Sequence, residues 1–458
     1  MAGRDIIRGH LRRAQTQVLN NLVVGDSINN YYVTGSYYNM LSYNIGNWSS
    51  SLVRFVGQAF GMVSPGVTMN GVYCSLPGSG AGYPTAGGTI RPGEAWPQTG
   101  ETKINVRTTS SYYAAADIGA FGSLFQVSSQ PTGPADANWT TSTTLTCTVK
   151  ARSSTTSVTS WFLNAYTQDA APLVSSGSTT AMTTLNAAAS FKIYSVTNFS
   201  TSSTTTRAST NVGFCHIRSG AETENGTTIR DMAFLDFGLR NTTRTTGIFW
   251  GYCGHGSWKP NNHSSESGSS ITADPPTYTG AYSDAALAAD YTAYQWNHVT
   301  IWIGANPNNA GDLTASAAAY KSDILAIIAR HRAAALSAGL SNPKFTLVSQ
   351  YTTSTINEYW KTLQQALYEI ALADTDVEFI DLYAHVLATI GPHASWSGNT
   401  SYTPDGVHPG PLLRSILSAQ MAKIGFGGNI LPSSPSPGGP HSSSKLSWLR
   451  KKTRYRAA

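Results

Sequence analysis

Hydrophobic and polar residues follow two different patterns along this chain, and the change between them divides it into segments. Near the beginning, Leu22–Val24 is a short apolar run that ends in a Gly-Asp-Ser turn, and residues 48–60 carry apolar residues at helical spacing. From about Pro84 to Thr245 the sequence is rich in Thr and Ser, with short β-prone runs and no long amphipathic helix. This second pattern predicts an antiparallel β-sandwich.

Strands and helices alternate again after the Thr/Ser-rich segment. The predicted strands lie at residues 246–254, 298–306, 344–350 and 377–383. Helices are predicted over 314–340, over 354–373 and from about Pro411 to Ile424. In the first helix the apolar residues at helical period include Leu325, Ile327, Ile328 and Leu336. Such alternation is typical of a parallel sheet covered on both faces, so we predict an α/β domain that the β-sandwich interrupts near its beginning.

These patterns predict four segments. An α/β domain occupies residues 1–83 and 246–427, an inserted β-domain lies at 84–245, and a tail follows at 428–458. The tail is rich in Pro, Ser and Gly and then basic, which predicts a flexible linker with a charged terminus. Either it is simply solvated, or it tethers the protein to an anionic surface or to an assembly partner such as a neighbouring subunit.

The charge of the chain narrows the class of partner. The 458 residues include 30 basic and 24 acidic side chains, for a net charge of +6. The tail holds six of the basic residues and no acid, so the remaining chain is neutral, with 24 of each sign. A nucleic-acid-binding body is therefore not expected. Charged residues make up only 12% of the chain, about half the usual share, which suits a surface that faces neutral sugars and water.

Targeting signals and cysteines bear on location. No window approaches the roughly 18 apolar residues of a membrane span, and the start of the chain lacks a signal peptide's apolar stretch. We expect a location outside the cytoplasm, either extracellular or virion-associated after release by lysis. Four cysteines without metal-ligand spacing predict buried thiols or one or two disulfides: Cys74, Cys147, Cys215 and Cys253.

Three short stretches contain the groups that ester hydrolysis requires, namely a nucleophile, a base, a group that orients the base, and donors for the oxyanion. Ser27 follows an apolar strand, and Asp405 precedes His408 by three residues in a Pro/Gly-rich loop. Asn306 and Gly256 each come just beyond a predicted strand. An ordinary turn would explain each stretch taken singly. We expect structural roles for His255 and His298, which lie near these motifs.

In their order and context these residues resemble the SGNH (GDSL-type) hydrolase family. The resemblance covers about residues 17–60 and 246–427, and some members carry a jelly-roll insertion where residues 84–245 lie. The family's first, second, third and fifth blocks are matched by Gly25-Asp26-Ser27, Gly256, Gly304-Ala305-Asn306 and Asp405–His408. The resemblance implies a three-layer, flavodoxin-like α/β domain interrupted by a jelly-roll-like β-sandwich.

The resemblance also implies a role for each site residue. Ser27 is the nucleophile, His408 the general base, and Asp405 the residue that orients His408. The N–H groups of Ser27 and Gly256 and the side chain of Asn306 form the oxyanion hole, with Gly254 as a rival for Gly256. Neither a metal nor an organic cofactor is implied. Two positions depart from the family, with Ile28 where Leu is commonest and Pro307 where an Asp supports the Asn loop.

Three functions remain open at this point. The first is a serine ester hydrolase, most plausibly one that removes O-acetyl groups from a carbohydrate or other small ester. The second is a virion structural or receptor-binding protein, such as a tail or head fibre, that uses the same fold for glycan attachment with weak esterase activity. The third is a lipase or polyester-active esterase, which would require an apolar acyl groove.

Overall fold

The computed structural model describes most of the α/β elements and the strands between them. Described are residues 6–26, ten strands between 66 and 241, residues 245–255, 259–265, 283–304, 313–349 and 357–391, Tyr402, and short helical stretches between 412 and 421. In this part of the chain no helix is long and apolar enough to cross a membrane. The predicted helix at 48–60 lies outside the described residues.

Fifteen strands and six helices are described. The strands are β1 (Val18–Asp26), β2 (Gly66–Asn70), β3 (Cys74–Ser75), β4 (Gly88–Arg91), β5 (Thr102–Arg107), β6 (Ala115–Ile118), β7 (Thr144–Ser153), β8 (Trp161–Thr167), β9 (Lys192–Ser200), β10 (Val212–Ser219), β11 (Ile229–Asn241), β12 (Gly247–His255), β13 (His298–Trp302), β14 (Lys344–Val348) and β15 (Val377–Ile380). The helices are α1 (Ile6–Arg13), α2 (Pro260–Ser264), α3 (Asp284–Tyr294), α4 (Leu313–Ser337), α5 (Asn357–Ala373) and α6 (Leu382–Ile390).

Five of these strands form the parallel sheet that the sequence predicts. Their spatial order is β15-β14-β13-β1-β12, and every neighbouring pair is parallel. Numbered by their own succession along the chain, the strands stand in the order 2-1-3-4-5, which is the flavodoxin-like order of doubly wound sheets. The predicted α/β class is therefore confirmed, and β1 is the strand at which the order reverses.

The two faces of this sheet differ in chemistry, and helices contact both. One face carries Leu22, Val24 and Ile301, which belong to a buried apolar cluster together with residues of α3, α4 and α5. The opposite face carries buried polar side chains, and the backbone N–H of Ile6 at the start of α1 donates to Glu378 on that face. Burial on both sides explains why these strands are nearly continuous apolar runs in the sequence.

The sheet continues beyond β12 through one more parallel pair and then through antiparallel pairs. Strand β2 pairs with β12 in parallel and with β11 antiparallel, and β11 then pairs antiparallel with β5 and β7. A second sheet has the order β3-β6-β10-β8 and is antiparallel throughout. The strands between 84 and 245 thus pair antiparallel, as predicted. The jelly-roll topology and the domain boundaries stay predictions.

Aromatic residues join the parallel sheet to the antiparallel strands. Phe249 of β12 stacks on both Tyr294 and Trp296, with ring centroids 5.9 and 5.6 Å apart. The hydroxyl of Tyr294 donates to Thr148 Oγ1 of β7 at 3.0 Å. At Gly251 an added Cβ would lie 2.4 Å from the Trp296 ring, so only glycine permits this close approach.

Two expectations about the helical segments are wrong. Leu325 and Leu336 of α4 are 47% and 74% exposed, whereas Ile327 and Ile328 are buried as expected. Small Ala334 and Ala335 occupy buried positions near the end of α4, so the helix turns Leu336 outward.

The predicted strand 377–383 is also too long, because Asp381 accepts the N–H of Ala384 at 2.9 Å and so caps α6.

Candidate active site

Three neighbouring strands end one to four residues before predicted site residues. β1 ends at Asp26, one residue before Ser27, and β12 ends at His255, one residue before Gly256. β13 ends at Trp302, four residues before Asn306. Because β1 lies between β12 and β13 and all three are parallel, their carboxyl ends meet at one edge of the sheet. This edge, next to the strand where the order reverses, is where ligands bind in open α/β sheets.

The five residues to which the resemblance assigns chemical roles lie outside the described residues: Ser27, Gly256, Asn306, Asp405 and His408. Their mutual geometry therefore stays a prediction. Gly254, the rival for the oxyanion hole, is described, and it lies within β12 opposite Gly25 of β1. The choice between Gly254 and Gly256 stays open.

Asp26, the residue before Ser27, connects β1 to the segment that leads to Asn306. Its side chain is fully buried, and its Oδ2 accepts a hydrogen bond from the backbone N–H of Gly304 at 3.1 Å. A carboxylate that is removed from water requires such donors, because an unpaired buried charge is costly. The hydrogen bond therefore holds together the ends of the two strands that precede Ser27 and Asn306.

His263 connects β1 to the segment that follows Gly256. It lies on α2, and its Nε2 is 3.0 Å from the carbonyl oxygen of Gly25. A carbonyl oxygen can only accept, so Nε2 carries the proton. Complete burial, with a smaller contribution from Arg330, lowers the pKa of His263 from 6.5 to about 3, despite the opposing hydrogen bond to Gly25. The ring is therefore neutral at pH 7 and serves as a fixed donor.

Arg330 anchors α2 from the long helix α4. Its Nη1 donates to the carbonyl oxygen of His263 at 2.7 Å, and its Nε pairs with Asp284 at 2.8 Å. Sequence reasoning did not single out His263. The sequence signal nearest to it is Pro260, three residues earlier. Proline is common at the first position of a helix, so Pro260 indicates the short helix on which His263 lies.

Besides Asp26, a side chain from α4 holds the end of β13. The hydroxyl of Tyr320 donates to the carbonyl oxygen of Ile303 at 2.8 Å. Gly304 has φ of 141°, and a Cβ placed on it would lie 3.2 Å from the Tyr320 ring. Glycine is required at this position because the backbone conformation and the neighbouring ring both disfavour a side chain. Tyr320 was not identified from the sequence.

Ser349 lies at the same edge of the sheet but is committed to structural hydrogen bonds. It is fully buried one residue after β14, its Oγ donates to Asp381 at 3.0 Å, and it accepts the N–H of Tyr383 at 2.8 Å. Its backbone carbonyl also accepts the indole N–H of Trp302 at 3.1 Å. With its proton donated to a carboxylate and no exposed surface, Ser349 is poorly suited to act as a nucleophile.

His298 lies at the opposite edge of the sheet, at the amino end of β13. Its Nδ1 contacts Asn21 Oδ1, and its Nε2 contacts Thr346 Oγ1, whose hydroxyl donates to Glu378. Burial, and secondarily Arg13, lowers the pKa of His298 to about 3. These buried contacts across β1, β13, β14 and β15 give His298 a structural role, as expected.

Among the described residues there is no group of three or more His, Cys, Asp or Glu that could coordinate a metal ion. Cys253 of β12 is buried and is not part of a disulfide, consistent with a small buried apolar residue. The side chains of the other three cysteines lie outside the described part of the chain.

No family model matches this sequence, and no curated protein is similar to it. Three of the solved structures to which it is similar are esterases or lipases by name. A psychrotrophic esterase from Pseudoalteromonas sp. is 15% identical with a TM-score of 0.26, over 39% of this chain and 77% of that one. A Parabacteroides merdae protein named as a GDSL-like lipase is 13% identical with a TM-score of 0.25, over 40% and 73%.

The third match is an acetyl xylan esterase from Butyrivibrio proteoclasticus. It is 10% identical, with a TM-score of 0.26, over 62% of this chain and 86% of that one. Because the TM-scores are below 0.5, the fold rests here on the strand order and register.

Proposed function

We propose that this protein is a serine ester hydrolase that acts through an acyl-enzyme. One observation carries the proposal. The two residues immediately before Ser27 are hydrogen-bonded to the segments next to the other predicted oxyanion donors. Gly25 accepts from His263, seven residues after Gly256, and Asp26 accepts from Gly304, two residues before Asn306. Three stretches far apart in the sequence thus converge at the edge of the sheet where a site is expected.

The roles of the residues follow from the chemistry of acyl transfer. Ser27 Oγ attacks the ester carbonyl while His408 takes its proton, and Asp405 holds the imidazole in the required orientation. The N–H groups of Ser27 and Gly256 and the Asn306 amide stabilise the oxyanion. The intermediate collapses to an acyl-Ser27 ester and releases the alcohol, which takes the proton from His408. Water then hydrolyses the acyl-enzyme with His408 as base.

The three buried histidines that the structure describes are poor candidates for the general base. Burial is the main cause that lowers the pKa of His263, His298 and His331 to about 3 in each case. A general base at neutral pH requires a pKa near the working pH and access to the substrate. The rings of all three also contact fixed hydrogen-bonding partners. This supports assigning the base to His408, which follows Asp405 in the sequence.

As the substrate class we propose O-acetylated carbohydrates. The 12% share of charged residues favours a neutral ligand over an ionic one. Acyl chain length separates this proposal from a lipase or polyester-active enzyme. For p-nitrophenyl esters of increasing chain length, kcat/KM is expected to be highest for acetate. A rate that rises beyond about eight carbons would favour a lipase instead.

Covalent labelling tests the proposed chemistry without knowledge of the substrate. The protein is treated with a fluorophosphonate probe, and its intact mass is measured for the wild type, Ser27→Ala and Ser349→Ala. One adduct is expected on the wild type and on Ser349→Ala, and none on Ser27→Ala, because only an activated serine reacts at an appreciable rate. No adduct on the folded wild type would contradict the proposal and favour a virion attachment protein.

A further inference from the structure

Two side chains hold the two polar groups of a single peptide unit at the end of β13. The carbonyl oxygen of Ile303 accepts from the Tyr320 hydroxyl at 2.8 Å, and the N–H of Gly304 donates to Asp26 Oδ2 at 3.1 Å. Ile303, Tyr320 and Asp26 are all at least 95% buried. Because a peptide unit is planar, fixing both its C=O and its N–H fixes the orientation of the whole plane.

The chain reaches Asn306 two residues after this peptide. Pro307 follows immediately, and a proline has neither a backbone N–H nor a polar side chain with which to restrain its neighbour. The peptide between Ile303 and Gly304 is the nearest described point before Asn306 at which the backbone is held. Its two hydrogen bonds determine the direction in which the chain leaves β13.

We infer that Tyr320 is a positioning residue that orients the Asn306 amide for the ester hydrolysis proposed above, on which this inference rests. Tyr320 acts through the backbone and together with Asp26. An oxyanion donor is effective only when it lies within about 2.7–3.1 Å of the developing charge. A misplacement of about 1 Å can lower a rate by about 100-fold, even when the altered residue is far from the reacting atoms.

The test is Tyr320→Phe, which removes the hydroxyl and keeps the ring that packs against Gly304. With p-nitrophenyl acetate as substrate, we expect kcat to fall about 10-fold to 100-fold while KM changes by less than about 2-fold. Tyr291→Phe is the matched control. Tyr291 is also fully buried, but its hydroxyl contacts His331 Nδ1 at 2.9 Å and makes no contact with the Ile303 carbonyl. This control is expected to keep the wild-type kcat.

A double-mutant cycle with Asn306→Ala separates positioning from a general loss of structure. If Tyr320 acts through the Asn306 amide, Tyr320→Phe has little further effect on kcat once that amide is absent. A general defect would instead multiply the two losses. Should Tyr320→Phe fail to fold, Asp26→Ala breaks the other hydrogen bond of the same peptide and enters the same cycle.

The outcomes distinguish this inference from the proposed function. An active wild type with unchanged kcat in Tyr320→Phe, or with losses that multiply in the cycle, overturns the positioning role alone. A wild type that neither hydrolyses p-nitrophenyl acetate nor reacts with a fluorophosphonate overturns both. The inference is supported if kcat falls in Tyr320→Phe but not in Tyr291→Phe. In addition, Tyr320→Phe must cause no further fall when it is added to Asn306→Ala.

Discussion

The carboxylate of Asp26 and the backbone N–H of Gly304 are hydrogen-bonded at 3.1 Å although they lie 278 residues apart in the sequence. The whole β-rich segment lies between them in the chain. The bond therefore joins the two parts of the α/β domain at the edge of the sheet where the proposed nucleophile follows. Because both groups are buried, water does not replace this hydrogen bond when it is broken.

Changing Asp26 tests how far this bond depends on an acceptor atom. Asp26→Ala is expected to lower the free energy of unfolding by about 1–3 kcal/mol, because the N–H of Gly304 remains buried and unpaired. Asp26→Asn retains an oxygen that can accept from Gly304, so its loss should be smaller. Urea unfolding monitored by tryptophan fluorescence measures both. Equal losses in the two variants would show that the charge, and not the acceptor, is what matters.

Gly304→Ala should destabilise the protein by about 1–3 kcal/mol, because a non-glycine residue is strained at positive φ and meets the Tyr320 ring here. Gly339→Ala is a suitable control, since Gly339 also has positive φ, 72°, but has open space where its Cβ would lie. The difference between the two melting temperatures measures the combined cost of the φ of 141° and of the contact with the Tyr320 ring. Indistinguishable melting temperatures would show that neither adds to the cost of a positive φ alone.

Substitution of the proposed catalytic residues should lower turnover by different amounts. Ser27→Ala and His408→Ala are each expected to reduce kcat by about 10³-fold to 10⁶-fold with the fold intact. Asn306→Ala removes one of three oxyanion donors and should cost about 10²-fold to 10³-fold. Kinetics with p-nitrophenyl acetate and circular dichroism check the two parts of this prediction. Normal turnover in Ser27→Ala would exclude it as the nucleophile.

The stability of the protein should decrease on acidification from about pH 6.5 to pH 3. Burial lowers the pKa of His263, His298 and His331 from 6.5 to about 3, so the unfolded chain binds protons over this range that the folded protein does not. The free energy of unfolding therefore decreases as the pH is lowered from about 6.5 to 3. Above pH 6.5 these three histidines contribute no pH dependence. Urea midpoints measured at several pH values report the slope.

One histidine variant and a matched control separate this effect from the titration of carboxylates. His331→Gln removes one of the three buried histidines and should make the slope shallower between pH 6.5 and pH 3. His385→Gln makes the same substitution at an exposed histidine of α6 and serves as the control. Identical slopes in His331→Gln and the wild type would mean that His331 is not kept neutral by the fold.

Much of the α/β architecture could be predicted from the sequence. A strand buried on both faces is a short apolar run, and in a helix the apolar residues recur every three or four positions. The runs near residues 246, 298, 344 and 377 all form parallel strands. Helix faces were less predictable. The apolar period included Leu325 and Leu336, yet both are exposed, since periodicity does not distinguish a core position from an apolar residue beside it.

The candidate site could be predicted only in part. Gly25 and Asp26 were expected in a turn just after a strand at Leu22–Val24, whereas β1 is longer and they are its last two residues. His263 and Tyr320 carried no signal of their own, because each acts by donating to a backbone carbonyl, and any residue type offers one. Such contacts depend on where the chain passes, and a sequence motif does not record that.

The sequence by itself predicted the five strands of the parallel sheet, the helices α4 and α5, and the residues that are suited to ester chemistry. Only the tertiary structure decided the strand order 2-1-3-4-5, the continuation of the sheet through β2, and the contacts of Asp26 with Gly304 and of His263 with Gly25. The physical reason is that hydrophobic period reports whether a residue is buried, whereas its partner depends on register and strand order between segments more than 200 residues apart.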